Sequence, residues 1–169
     1  MINYVPDMIT SPVVLAVEDE ESDVFLLQLA FETARISNRL VVLRDGQELI
    51  DYLDDRKPIN DGTELSVPGL LLLDLKMPRM DGFEVLTWLA FHASLQHIPV
   101  VVFSASTCEA DMRKALQLGA SDYLSKPSQF TALVQMVRAL HQRWLSGPDS
   151  PSETHAFSRQ RLAPGSSFL

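Results

Sequence analysis

Five short, mostly apolar runs recur along the chain: Val13 to Val17, Leu40 to Leu43, Leu70 to Leu73, Ile98 to Phe103 and Asp122 to Leu124. Their β-branched and leucine-rich makeup predicts strands covered on both faces. Between them the period changes from near-continuous to helical. Val24, Leu27 and Phe31 share a face after a start at Ser22 or Asp23, and Phe83, Leu86 and Leu89 do so after Asp81-Gly82. Another helix is expected from Thr107 or Cys108 to Leu118, ended by Gly119. The last begins near Ser128 and carries Phe130, Leu133, Val134, Val137, Leu140 and Trp144 on one broad face. Arg56 to Gly69 is too irregular to prolong the helix before it and reads as a long loop ahead of the third strand.

Strands alternating with helices imply right-handed crossovers and a parallel sheet with helices on both sides, a doubly wound α/β domain. Its expected span is residues 13–145, after an N-terminal extension over 1–12. From Ser146 onward the sequence SGPDSPSETHAFSRQRLAPGSSFL is rich in Ser, Pro and Gly and without period, so residues 146–169 are expected to form a disordered tail. The chain's 46% hydrophobic content suffices for one core. A formal net charge of -8 argues against nucleic acid or an anionic membrane as partner. The single cysteine, Cys108, cannot form an intrachain disulfide, no run of about 18 apolar residues occurs, and the N-terminus lacks the order of a secretory signal. A cytoplasmic location is expected.

Ligands of open α/β sheets bind beyond the carboxyl ends of the strands, where strand order reverses. The first strand runs into Glu18, Asp19, Glu20 and Glu21, and the third into Asp74. If these strands are neighbours, at least three carboxylates converge. Such a group raises its own pKa values unless a cation sits within it, and a hard divalent ion with oxygen ligands, magnesium above all, suits that role. Glu18 and Asp19 are read as ligands, whereas Glu20 and Glu21 are read as caps at the positive end of the next helix. The same acidic turn, VEDEES, excludes a phosphate cradle of the nucleotide-binding kind.

The segment LLLDLKMPRMDG around Asp74 resembles the phosphoacceptor segment of response-regulator receiver domains. Three further features of that family stand in order: the acidic pair Glu18-Asp19, Ser104-Ala105 at the end of the fourth strand, and Lys126-Pro127 after the fifth. The spacings from Asp74 to Ser104 and from Ser104 to Lys126 are those of a compact receiver. The resemblance covers roughly Val13 to Leu145, and it implies a flavodoxin-like sheet in the order 2-1-3-4-5 flanked by five helices.

By the same resemblance, Asp74 is the phosphoacceptor, attacking a phosphohistidine to form an acyl phosphate. Glu18, Asp19, Asp74 and the backbone carbonyl of Lys76 hold Mg2+; Lys126 and Ser104 bind phosphoryl oxygens, with Ala105 beside Ser104. Tyr123 is the switch aromatic, turning inward as the Ser104 hydroxyl moves toward the phosphoryl group. The Lys126-Pro127 bond is often cis in the family. The implied partner is a sensor histidine kinase or a phosphotransfer protein. The long loop and the lack of an attached output domain resemble the stand-alone regulators of phytochrome-type kinases.

Asp81-Gly82 is expected to turn the chain and cap the third helix. His92, His97, His141 and His155 lack metal spacing and are read as surface residues, and Trp88 and Trp144 as packing residues. The apolar stripe of the last helix, with Met136 and Leu145 at its flanks, could serve a homodimer, but a core is expected to account for most of it. Two other functions compete with the phosphorylation switch. A dehalogenase-like phosphatase would need a second Asp where Lys76 stands, and a phosphorylation-independent binding module would be expected to lack the acidic pair or the lysine. The switch, rather than an enzyme, is the preferred reading.

Overall fold

The computed structural model describes residues 11–55 and 68–146. The expected loop at 56–67, most of the N-terminal extension, the tail beyond Ser146 and His155 lie outside the described residues. Five strands, β1 (Val13–Val17), β2 (Leu40–Leu43), β3 (Pro68–Leu73), β4 (Val100–Ser104) and β5 (Asp122–Ser125), alternate with α1 (Glu21–Ala34), α2 (Gly46–Asp55), α3 (Gly82–Ala90), α4 (Glu109–Gln117) and α5 (Phe130–Leu140). All pairings are parallel, in the order β2-β1-β3-β4-β5. The doubly wound sheet is therefore the expected one.

Every residue of β1 is buried because helices cover both faces, which is why the run shows no polar alternation. Alternate side chains divide between two cores. Leu15, Val17, Leu71, Leu73, Val100 and Val102 pack with Leu49 and Leu53 of α2, Val85, Leu86 and Leu89 of α3, and Ala115 of α4. Val14, Ala16, Leu70, Leu72, Val101 and Phe103 pack with Leu27 and Phe31 of α1 and with Leu133, Val134, Val137 and Leu140 of α5. Most of the last helix's stripe is thus spent on the core. It continues into a π-helical turn, His141–Leu145, whose Leu145 is also buried.

Boundaries differ from expectation by a few residues, for local reasons. Pro68 and Gly69 belong to β3 rather than to the loop, and β4 begins at Val100 because Pro99 has no amide to donate to a ladder. Asp81 caps α3 through a reciprocal box in which Glu84 N–H donates to Asp81 and Asp81 N–H donates to Glu84. Glu20 occupies the N-cap position of α1 but makes no capping hydrogen bond with its side chain, so the expected cap is absent; Glu21 lies in the first turn. Gly119 follows α4 with φ +104°, a left-handed conformation that favours glycine. His97 is exposed as expected, but His92 and His141 are half-buried, and His92 stacks on Trp88 with ring centroids 3.8 Å apart. No described helix is long and apolar enough to cross a membrane.

Candidate functional site

Sheet register assembles the site. Val17 is paired with Leu43 on one side and Leu73 on the other, and the ladder carries on one step further: Glu18 N–H donates to Leu43 O at 2.9 Å and Asp74 N–H to Val17 O at 3.1 Å. Glu18 and Asp74 therefore leave adjacent strands side by side at the point where strand order reverses. Both are buried, at 4% and 7% exposure. Carboxylate oxygens of Glu18, Asp19 and Asp74 all lie within 4.8 Å of one another, with Asp19 the most open of the three. An all-oxygen donor set of this charge, compact and open on one side, fits a hard divalent cation that keeps part of its water.

Lys126 enters this cluster from the end of β5. Its backbone N–H donates to Ser104 O at 2.9 Å, which continues the β4–β5 ladder and aims the side chain across the sheet edge. The ammonium donates to Glu18 Oε2 at 2.6 Å, Asp23 Oδ2 at 2.7 Å and Asp74 Oδ2 at 3.2 Å. The other oxygen of Asp74 accepts from the Leu75 N–H at 2.7 Å, and Glu18 Oε1 accepts from Glu20 N–H at 3.2 Å. No cis peptide bond occurs among the described residues, so Lys126-Pro127 is trans here, unlike the isomer often found in the family.

Burial pushes the Glu18 carboxyl above its ordinary value, and the neighbouring Asp74 charge adds to the rise; Lys126 opposes both without overcoming them. For Lys126 burial works against the charge, but hydrogen bonds to Asp23 and Glu18, with the charges of Glu18 and Asp74, outweigh it and hold the ammonium above its ordinary range. The lysine stays a cation. It is a fixed point charge in a pocket that has more negative groups than it can neutralise.

The loop after Asp74 is pinned from below. Gly82 N–H donates to Leu75 O at 3.0 Å, and a Cβ on Gly82 would stand 2.4 Å from Asp74 O. Glycine at this position thus lets the first turn of α3 approach the acidic strand end, a role beyond the turn expected of it. Lys76 is exposed in this loop, two residues past Asp74. Arg79, with φ 64°, forms an ion pair with the buried Asp45, tying the same loop to the start of α2.

At the next strand end, Ser104 is fully buried and Ala105 exposed. Ser104 Oγ accepts a long hydrogen bond from Ser106 N–H, 3.4 Å, and caps no helix. Tyr123, expected to turn inward, already has a buried ring, at 7% exposure, and its hydroxyl donates to Ser106 O at 2.9 Å. Ser106 Oγ in turn donates to Asp111 of α4 at 2.6 Å.

The structure thus brings Glu18, Asp19, Asp74 and Lys126 together and sets Ser104 and Tyr123 in a neighbouring corner. Sequence reasoning missed two members. Asp23 entered only as a candidate helix start, although an acid in the first turn after an acidic strand end faces the same edge. Ser106 carried no signal, since its role depends on its carbonyl and on a contact with α4.

Comparison with known proteins agrees with this geometry. The response regulator receiver domain model matches residues 14–138. The probable methanogenesis regulatory protein FilR2 of Methanothrix harundinacea is 37% identical over 139 residues, 82% of this chain and 87% of that protein. The response regulator Rcp1 of Synechocystis sp. is 34% identical over 140 residues, 83% of this chain and 93% of that protein. Among solved structures, the Mn(2+)-bound form of Rcp1 has a TM-score of 0.69 at 33% identity, covering 83% of this chain and 99% of that one. The phosphorylated cyanobacterial phytochrome response regulator RcpA has a TM-score of 0.71 at 33% identity, covering 84% and 99%. With the sheet order, the acidic strand ends and a family match across most of its length, the chain belongs to the response regulator receiver domain family.

Proposed function

We propose that Asp74 is the residue phosphorylated in this chain, with Mg2+ held beside it by Glu18, Asp19, Asp74 and the Lys76 carbonyl. Receiver domains act in two-component signalling, where phosphorylation of an aspartate is standard, and they are generally non-enzymatic signalling proteins that interact with histidine kinases or phosphotransfer proteins. They bind a divalent metal at an acidic pocket. The observation that carries the assignment is Lys126: a permanently charged ammonium 3.2 Å from a buried Asp74, in the one carboxylate cluster of metal-binding kind among the described residues.

An oxygen of Asp74 attacks phosphorus as the bond from phosphorus to the donor imidazole nitrogen breaks; the carboxylate becomes an acyl phosphate and the imidazole leaves. When bound, the ion supplies neutralising charge for the transferring phosphoryl oxygens. Lys126 places a second positive charge on them, and the Leu75 N–H holds the Asp74 carboxylate in a fixed orientation. The Ser104 hydroxyl, whose hydrogen bond among the described residues is 3.4 Å long, turns toward the new group, and Tyr123 reports that movement through the shared Ser106. The output is a change in which proteins dock on this face. Likeness to a phytochrome response regulator supports a phytochrome-type kinase as the donor. A cytoplasmic location follows from that donor class.

The test is intact mass after incubation with magnesium and acetyl phosphate, beside Asp74→Asn and a magnesium-free control. A labile gain of one phosphoryl group in the wild type alone is expected. No gain in any sample would replace this assignment with a phosphorylation-independent binding module.

A further inference from the structure

Lys126 has three N–H donors, and in this structure all three are taken by carboxylates. The bonds are unequal. Glu18 and Asp23 hold the nitrogen at 2.6 and 2.7 Å, while Asp74 stands off at 3.2 Å. Glu18 belongs to the buried floor of the pocket, but Asp23 comes from the first turn of α1 and has a third of its side chain in solvent. It lies outside the cluster that suits a cation.

We propose that Asp23 is a positioning residue that draws the Lys126 ammonium toward α1 and so competes with the phosphoryl group on Asp74 for the same cation. The inference rests on the assignment of Lys126 to phosphoryl binding. An acyl phosphate on Asp74 extends beyond the carboxylate and carries more negative charge than the carboxylate it replaces. The donor now on Asp74 Oδ2 can follow the new oxygens outward only if the ammonium moves away from its two shorter partners. Glu18 is fixed by the β1 ladder and by the Glu20 N–H, so Asp23, at the rim, is the partner that can yield. Its own charge also lowers the positive potential seen by the phosphoryl oxygens. Both effects have the same sign: Asp23 weakens the phosphorylated state against the resting one.

The experiment uses the full chain as wild type, Asp23→Asn and Asp23→Glu, with beryllium fluoride and magnesium as a tetrahedral mimic of the phosphoryl group. Affinity for the mimic is measured by calorimetry, and magnesium affinity is measured separately without it. The asparagine variant is expected to bind the mimic roughly two- to fivefold more tightly, the range for a partly exposed ion pair, while its magnesium affinity shifts less. Asp23→Glu, which keeps the charge, is expected to return toward the wild type. A weaker or unchanged affinity for the mimic in Asp23→Asn overturns the competition, as does a parallel shift in magnesium affinity, which would indicate a general field effect. If the wild type binds no mimic and takes no phosphoryl group, it is the assignment of Asp74 that has failed.

Discussion

At the ends of β1 and β3 the chain packs charge where an apolar core would be more stable, while a few ångströms away, at the end of β4, it leaves polar groups joined by few and partly long hydrogen bonds. Glu18, Asp74 and Lys126 are held by strand ladders and a buried floor, so that corner can change its charge but hardly its shape. Ser104, Ser106 and Tyr123 have the reverse character: uncharged side chains, with Ser104 and Tyr123 meeting Ser106 at 3.4 and 2.9 Å and Ser106 Oγ anchored to Asp111 of α4 at 2.6 Å. A charged site seated on strand ladders beside an uncharged one carried by a loop suits a switch. In the proposed switch the first would receive the group and the second would move in response.

The charged corner offers the largest effect. Because burial raises the Glu18 pKa in the folded state, the folded chain holds that proton more tightly than the unfolded chain does. Glu18 therefore contributes a loss of stability as pH rises from its ordinary value of 4.5 through the raised one, and no further change above that. Metal-free wild type is expected to lose stability over this window relative to Glu18→Gln, measured by urea denaturation at several pH values; parallel curves would remove Glu18 as the cause. Above the window, magnesium at a hundredfold excess over its Kd is expected to add about 2.7 kcal/mol to the wild type, and much less to the glutamine variant.

The neutral corner should respond more weakly. Tyr123→Phe keeps the buried ring and deletes only the hydrogen bond to Ser106 O, so a loss of about 1 kcal/mol is expected. A thermal melt with and without beryllium fluoride and magnesium checks both the size and the state. If the hydroxyl bond belongs to the resting arrangement, the loss shrinks when the mimic is bound, and an equal loss in both states would show that the bond is indifferent to the switch.

The difference between the corners also explains what could be read from the amino acids. Lys126, which follows the short and partly polar β5, is legible only through the family resemblance. Glu18 and Asp74 are visible because buried strands are continuous apolar runs, and a charge directly after such a run is placed at the sheet edge by the ladder itself. The two-sided core is legible for the same reason. Asp23 and Ser106 are not, because their roles depend on which way α1 and the loop before α4 tilt, a matter of packing that no local spacing encodes. Of the expected side-chain caps, Asp81 forms a box with Glu84, whereas Glu20 takes a hydrogen bond from the Ser22 hydroxyl rather than from a free backbone N–H. The resemblance alone marks Tyr123 as the switch aromatic, and only the packing of its ring shows that it is buried in this structure.

Lys76 carries the smallest expected effect on stability and the clearest on lifetime. Its side chain is exposed and leaves the loop directly after Asp74, whereas the backbone of that loop is held by Gly82 N–H on Leu75 and by the Arg79–Asp45 ion pair. Changing the side chain therefore leaves the fold and the Asp74 carboxylate in place. What it alters is the outer wall of the pocket, past which water must come in line with phosphorus to hydrolyse the acyl phosphate. Lys76→Asn is expected to take up phosphoryl groups from acetyl phosphate as the wild type does, to melt within about 0.5 kcal/mol of it, and to differ in the half-life of the phosphorylated form, followed by intact mass after removal of the donor. An unchanged half-life would mean that water reaches phosphorus by a path this side chain does not border, and that lifetime is set inside the charged corner, by Lys126 and its three carboxylates.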